Sequence, residues 1–157
     1  MFQVISSPAA VRLLAALAVG LLCFASEVRS APMLAPGPET ADPPDVEYKA
    51  GLQAKAAKRY AAAAASFRRA VDARPRFPEA WNELGFALRQ TGRYDEALQA
   101  YDQALKLRPN FPEAMEYLGE AYVKLGRLDD ARGILERLKP LDAGRAEELD
   151  RAIRTGR

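Results

Sequence analysis

From about residue 44 onward, apolar side chains recur at helical spacing, and small residues return at a fixed longer interval. Trp81, Leu84, Gly85 and Leu88 stand at i, i+3, i+4 and i+7, which predicts one face of a helix over about 79–91. Pro78 suits its first turn, where an amide has no internal partner, and Thr91, Gly92 and Arg93 supply the stop. A second helix is predicted over 94–107, with Ala97, Leu98, Tyr101, Ala104 and Leu105 on its buried face and Arg108, Pro109 and Asn110 ending it. At Gly85 and Ala97 the side chains are minimal, so the two axes are expected to approach closely there, with Trp81 and Tyr101 filling wider space between units.

This helix pair repeats every 34 residues. Laid over one another, 44–77, 78–111 and 112–145 bring Gly51, Gly85 and Gly119 into register, as well as Ala63, Ala97 and Ala131 and the prolines Pro44, Pro78 and Pro112. Ala70 with Ala104 and Pro75 with Pro109 recur in the first two units. A lone pair of such short helices cannot bury its apolar face, so each unit needs a neighbour, and about three units are the minimum for stability. This chain has three.

These residues resemble the tetratricopeptide repeat family, whose pattern of Trp, Leu, Gly, Tyr, Ala, Phe, Ala and Pro the second unit meets as Trp81, Leu84, Gly85, Leu88, Ala97, Tyr101, Ala104 and Pro109. The third unit follows with Met115, Leu118, Gly119, Tyr122, Ala131 and Leu135, but departs at Leu138 and has Ala143 in place of the proline, so its second helix is expected to end early at Pro140. In the first unit Gly51, Ala63, Phe67, Ala70 and Pro75 are kept, while Glu47, Ala50 and Ala54 replace the Trp, Leu and Tyr. Leu141, Ala146, Leu149 and Ile153 suggest an amphipathic helix over 142–154, similar to the family's capping helix. The fold expected is all-α: a solenoid of three helix-turn-helix units, 44–77, 78–111 and 112–145, with a C-terminal cap overlapping the third.

The resemblance implies a concave groove lined by the first helices of the units and used to bind a protein or peptide. Its positions fall on Asp45, Tyr48, Leu52 and Lys55, then Glu79, Asn82, Phe86 and Arg89, then Glu113, Glu116, Glu120 and Val123. Of these, Tyr48, Leu52, Lys55, Asn82, Phe86, Arg89, Glu116 and Glu120 are the candidate binding residues. Asn82 can donate to and accept from a partner's backbone, Phe86, Tyr48 and Leu52 offer apolar contact, and Arg89 with Lys55 is suited to a carboxylate. One subgroup of the family clamps a C-terminal carboxylate with Lys, Asn and Arg; the corresponding positions here hold Tyr48, Leu52, Glu83, Glu113 and Tyr117, so the clamp is missing. Glu79, Glu83, Glu113, Glu116 and Glu120 gather towards the starts of two first helices. They either favour a basic or neutral partner segment or answer only to the helix N-terminus, which prefers acids in any case.

The N-terminal part reads differently. Residues 13–25 form an uncharged apolar run after Arg12, too short for a comfortable span of about 20 residues, which is signal-peptide architecture. Ser30 and Ala31 place the cut after Ser30, with Ala25 as second choice; the rival is an uncleaved signal-anchor. Leu21 and Leu22 speak against lipid attachment at Cys23, and the following prolines against a buried core helix. Residues 31–43, with Pro32, Pro36, Pro38 and Pro43, read as an extended linker. Export to a bacterial periplasm is the expectation, with inner-membrane anchoring as the alternative.

Composition narrows the chemistry. The 157 residues include no His and one Cys, so most catalytic and metal-binding constellations lack their parts. Ser66 has no base to activate it, and Asp95 with Glu96 and Asp129 with Asp130 sit where a helix dipole favours acids. Arg59, Arg93 and Arg127 recur in the turns and read as solvated, carbonyl-contacting residues. The stretch 61–65 is all alanine and opens a helix. Twenty-three basic against 21 acidic residues leave +2 and no like-charge block long enough for nucleic acid. A non-enzymatic interaction module is expected, with no cofactor, no metal, no nucleic acid, and a membrane partner only if the signal stays uncut.

Overall fold

The computed structural model describes residues 42–156, and among them are seven helices and no strand. The predicted signal segment and all but the last two linker residues lie outside the described residues. The helices pair as α1 (Pro43–Ala56) with α2 (Tyr60–Ala73), α3 (Pro78–Gln90) with α4 (Tyr94–Leu107), and α5 (Pro112–Lys124) with α6 (Leu128–Leu138), followed by α7 (Ala143–Thr155). α4 has the predicted bounds, α3 begins and ends one residue early, and α6 stops before Pro140 as the lost register required. Each helix packs chiefly on the next, while α5 also touches α3 and is covered at the C-terminal end by α7.

The turns inside the units share one geometry. Arg93 N donates to Leu88 O at 3.0 Å and Gly92 N to Arg89 O at 3.0 Å, with Gly92 in the left-handed region at φ +79°. These two bonds satisfy carbonyls that the end of α3 leaves open. Gly126 repeats the conformation at φ +71°, but in the first unit the same place is held by Lys58, at φ 55°.

The core runs between the paired helices and includes Ala63, Phe67, Ala70, Leu84, Leu88, Ala97, Tyr101, Ala104, Met115, Leu118, Leu138 and Leu149. The repeated glycines are not there for backbone contact alone, as the sequence suggested. The Tyr101 ring fills the place where a side chain on Gly85 would stand, with Cε1 2.6 Å from an ideal Cβ, and Phe67 does the same to Gly51 at 2.5 Å. Tyr101 therefore packs inside its own unit as well as towards Tyr117 of the next, 6.2 Å between ring centroids. In the third unit the ring's counterpart is Leu135, yet Gly119 is covered by Leu149 of α7, whose Cδ2 lies 2.5 Å from the ideal Cβ. Trp81 is only partly buried and donates its Nε1 proton to Pro75 O at 2.8 Å.

Candidate binding face

The first helices of the three units, α1, α3 and α5, present one stripe each to a common face, and most of its charged side chains are tied from helix to helix. Lys55 of α1 reaches Glu83 of α3, with Nζ 2.6 Å and 2.9 Å from the two carboxylate oxygens. Arg89 of α3 meets Glu120 of α5 at 2.7 Å, and Glu116 of α5 pairs with Arg145 of α7. Burial raises Glu83 and Glu116 above the usual carboxylate value, and the partner cations only partly oppose that. Lys55 and Arg89, read as suited to a partner's carboxylate, thus already hold carboxylates of this chain.

Aromatic rings line the same face. Phe86 lies 5.3 Å from Tyr117 and 6.1 Å edge-on from Tyr60, with Lys55 Nζ 4.4 Å above its centroid. The Arg89 guanidinium stacks over both Phe86 and Tyr117, at 5.6 Å and 5.4 Å. Tyr48 packs on Phe77 at 4.8 Å and Phe67 at 5.7 Å. Burial, helped by nearby carboxylates, pushes the Tyr48 and Tyr117 hydroxyls up to about 12. Leu52 is exposed and Val123 buried, so of the apolar stripe residues the first is open to a partner and the second belongs to the core.

Asn82 behaves unlike the solvated hydrogen-bonder that its stripe position suggests. It is 1% exposed, and its Oδ1 meets no donor among the described residues. Arg89 Nε and the Tyr101 hydroxyl are likewise buried without a partner there.

A further set of ion pairs was not foreseen. Arg74, which ends α2, bonds Asp45 at the start of α1 at 2.8 Å, and Arg108, which ends α4, pairs with Glu79 at the start of α3. Both span 29 residues, so comparing residues 34 apart does not reveal them. The signal present in the sequence was Arg74 and Arg108 in register with Asp142. In the third unit Asp142 instead caps α7 by accepting from Arg145 N at 3.0 Å, and Arg145 takes Glu116. Glu113, in register with Asp45 and Glu79, has no cation within salt-bridge distance among the described residues. In the turns, Arg93 and Arg127 pair with Glu96 and Asp130 one turn on rather than with carbonyls.

Two sequence profiles, both described as tetratricopeptide repeat, match residues 48–110 and 88–153. The chain belongs to the tetratricopeptide repeat family. Similar solved structures agree on the fold. An Arabidopsis OM64 tetratricopeptide repeat domain is 16% identical with TM-score 0.68, covering 72% of this chain and 95% of that one. The TPR2B domain of yeast Sti1, in its pHsp70 complex, is 17% identical with TM-score 0.67 over 72% and 94%. The Yersinia enterocolitica type III secretion chaperone SycD, in complex with a peptide of the translocator YopD, is 18% identical with TM-score 0.65 over 71% and 92%. Among curated proteins none matches the chain significantly. Tetratricopeptide repeat proteins mediate protein–protein interaction, and no helix among the described residues is long and apolar enough to cross a membrane.

Proposed function

We propose that this tetratricopeptide repeat protein is an exported, non-enzymatic adaptor that holds an extended segment of another protein along the face made by α1, α3 and α5. The observation that carries the reading is the join of exposed Leu52 with half-buried Tyr48, Phe86 and Tyr117 on that one face. An extended chain has apolar side chains for the rings and for Leu52, whereas a solvated helix face needs none. Two solved relatives of the same fold, Sti1 with pHsp70 and SycD with a YopD peptide, carry partner chains.

Export rests on the apolar run 13–25 after Arg12 and the small residues at Ser30 and Ala31, and the linker would give the repeats reach in a bacterial periplasm. The same run, left uncut, makes a membrane-anchored assembly factor instead. Intact mass separates the two: a chain beginning at Ala31 supports the soluble adaptor, and a full-length chain found only in membranes overturns it.

The binding face is tested by co-purification from the native host of wild type and a Leu52→Ala, Phe86→Ala double variant, with circular dichroism showing both helical. Loss of the partner from the folded variant is the expected result. Retention would move the binding site to another face.

A further inference from the structure

α5 presents different residues on its two sides. Glu116, Tyr117 and Glu120 belong to the face shared with α1 and α3, while Leu118 and Tyr122, each two residues and so roughly 200° of helix from Glu120, stand on the other. On that other side α4, α5 and α6 leave a cleft of about 430 Å³, where a single water takes about 30 Å³. Leu105 of α4, Leu118 and Tyr122 of α5 and Ile134 of α6 make its floor. Asp102, Lys106 and Arg137 stand at its rim, all three exposed, so the cleft is reached from solvent.

The charges of the rim do not balance. Lys106 and Arg137 line one cleft, and neither has a carboxylate within salt-bridge distance among the described residues. Asp102 is the one acid of the rim, so two cations face it. Burial raises Asp102 above the usual carboxylate value, with Lys106 and Arg127 only partly opposing that, which marks the cleft as a place where water screens charge poorly. Arg127 itself is taken up by Asp130 and by the Tyr122 ring, 4.6 Å below its guanidinium. The boundary between the first and second units carries no such surplus: 34 residues earlier the rim positions hold Arg68, Asp72 and Gln103, one cation against one acid.

We propose that this cleft is a second docking site, separate from the face of α1, α3 and α5, for a partner segment that presents an aspartate or glutamate beside an aliphatic or aromatic side chain. The carboxylate lies between Lys106 and Arg137, where the planar guanidinium is suited to both of its oxygens, and the apolar side chain rests on Leu105, Tyr122 and Ile134. An acid alone leaves the floor wet, and an apolar side chain alone leaves two cations unanswered, so the two features are read together. No residue is shared with the first face, so this site stands or falls independently of that reading. With both faces occupied, the protein bridges two segments across α5.

The experiment is selection of random octapeptides displayed on phage against the purified protein, sorted by anisotropy titration against two double variants. Peptides lost only on Leu52→Ala with Phe86→Ala belong to the first face, and peptides lost only on Lys106→Gln with Arg137→Gln belong to the cleft. Lys106 and Arg137 are exposed and without salt bridges among the described residues, so their replacement leaves the fold intact, which circular dichroism checks. The expected result is a cleft class with Asp or Glu next to Leu, Ile, Val or Phe, bound about tenfold more weakly when the acid becomes its amide or the apolar neighbour becomes serine. The amide peptide should bind the Lys106, Arg137 variant as it binds wild type. No peptide sensitive to that variant, a sensitive class without a shared acid, or acidic peptides that keep their affinity with serine as neighbour would overturn the second site. Absence of the first class alone would overturn the face of α1, α3 and α5 and leave the cleft standing.

Discussion

The second and third repeats start from nearly the same sequence, Pro-Glu-Ala at 78–80 and 112–114, and end differently. In the second, Tyr101 of α4 covers Gly85, and Arg108 returns to Glu79. In the third, the cover over Gly119 comes from Leu149 of α7, and the returning arginine, Arg145, is placed three residues later and meets Glu116. The second repeat closes on itself because another repeat follows it. The third borrows its closure from the cap, and that exchange is what leaves Glu113 without a salt bridge among the described residues. An end unit in such an array is therefore less a degenerate copy than a copy adjusted to a different neighbour.

The largest effect should come from removing the two covers. Tyr101→Ala empties a fully buried site and should cost about 3–5 kcal/mol in urea unfolding, whereas Leu149→Ala should cost about 2–4 kcal/mol and loosen α7 before the rest. Amide exchange that speeds up across α3 and α4 as much as across α7 in the Leu149 variant would deny the third repeat its separate closure. Next come the glycines beneath the covers. Gly85→Ala drives a methyl into the Tyr101 ring and should lose about 1–2 kcal/mol, while Gly119→Ala presses on both δ-carbons and Cγ of fully buried Leu149 and should lose somewhat less, about 1 kcal/mol, because an aliphatic chain yields more readily than a ring and helix propensity is gained.

Smaller again is the turn that the first repeat makes with Lys58 instead of glycine. Lys58→Gly should raise stability by about 0.5–1 kcal/mol, because a left-handed backbone costs a side-chain-bearing residue about that much, and Gly92→Lys should lose a like amount. The smallest expected effect is a pH slope. Glu83 and Glu116 bind their protons more tightly in the folded than in the unfolded chain, so the native state carries more protons just above 4.5. The stability these groups contribute is present below that value and is lost as pH rises through their raised folded values. Urea melts across that window should show Glu83→Gln with less of this decline than wild type, and equal slopes would remove Glu83 from the account.

Most of the fold was legible because helix patterning and a 34-residue period are both local comparisons: a residue against its neighbours, and a residue against its own copy. The bounds of α4 and the early end of α6 followed from Arg108-Pro109 and Pro140 directly. The ties from Arg74 to Asp45 and from Arg108 to Glu79 escaped, since contact inside a unit runs at 29 residues and depends on how far a long side chain reaches. Asn82 was read as an open hydrogen-bonder of the α3 stripe, whereas its burial depends on what the adjacent helices bring against it, which no single-helix pattern contains. Tyr101 was read as core while the specific object beneath it, the bare backbone of Gly85, needed coordinates.

The ion pairs Lys55–Glu83, Arg89–Glu120 and Arg145–Glu116 have a mechanical consequence. Each joins one first helix, or the cap, to the next across the side that a partner would enter, and none lies between the second helices. Such ties act as tension members along one face of the array. Weakening them with salt should let the first helices move apart while the core between the pairs holds. Small-angle scattering at rising ionic strength would then record an expanded particle with its helices intact.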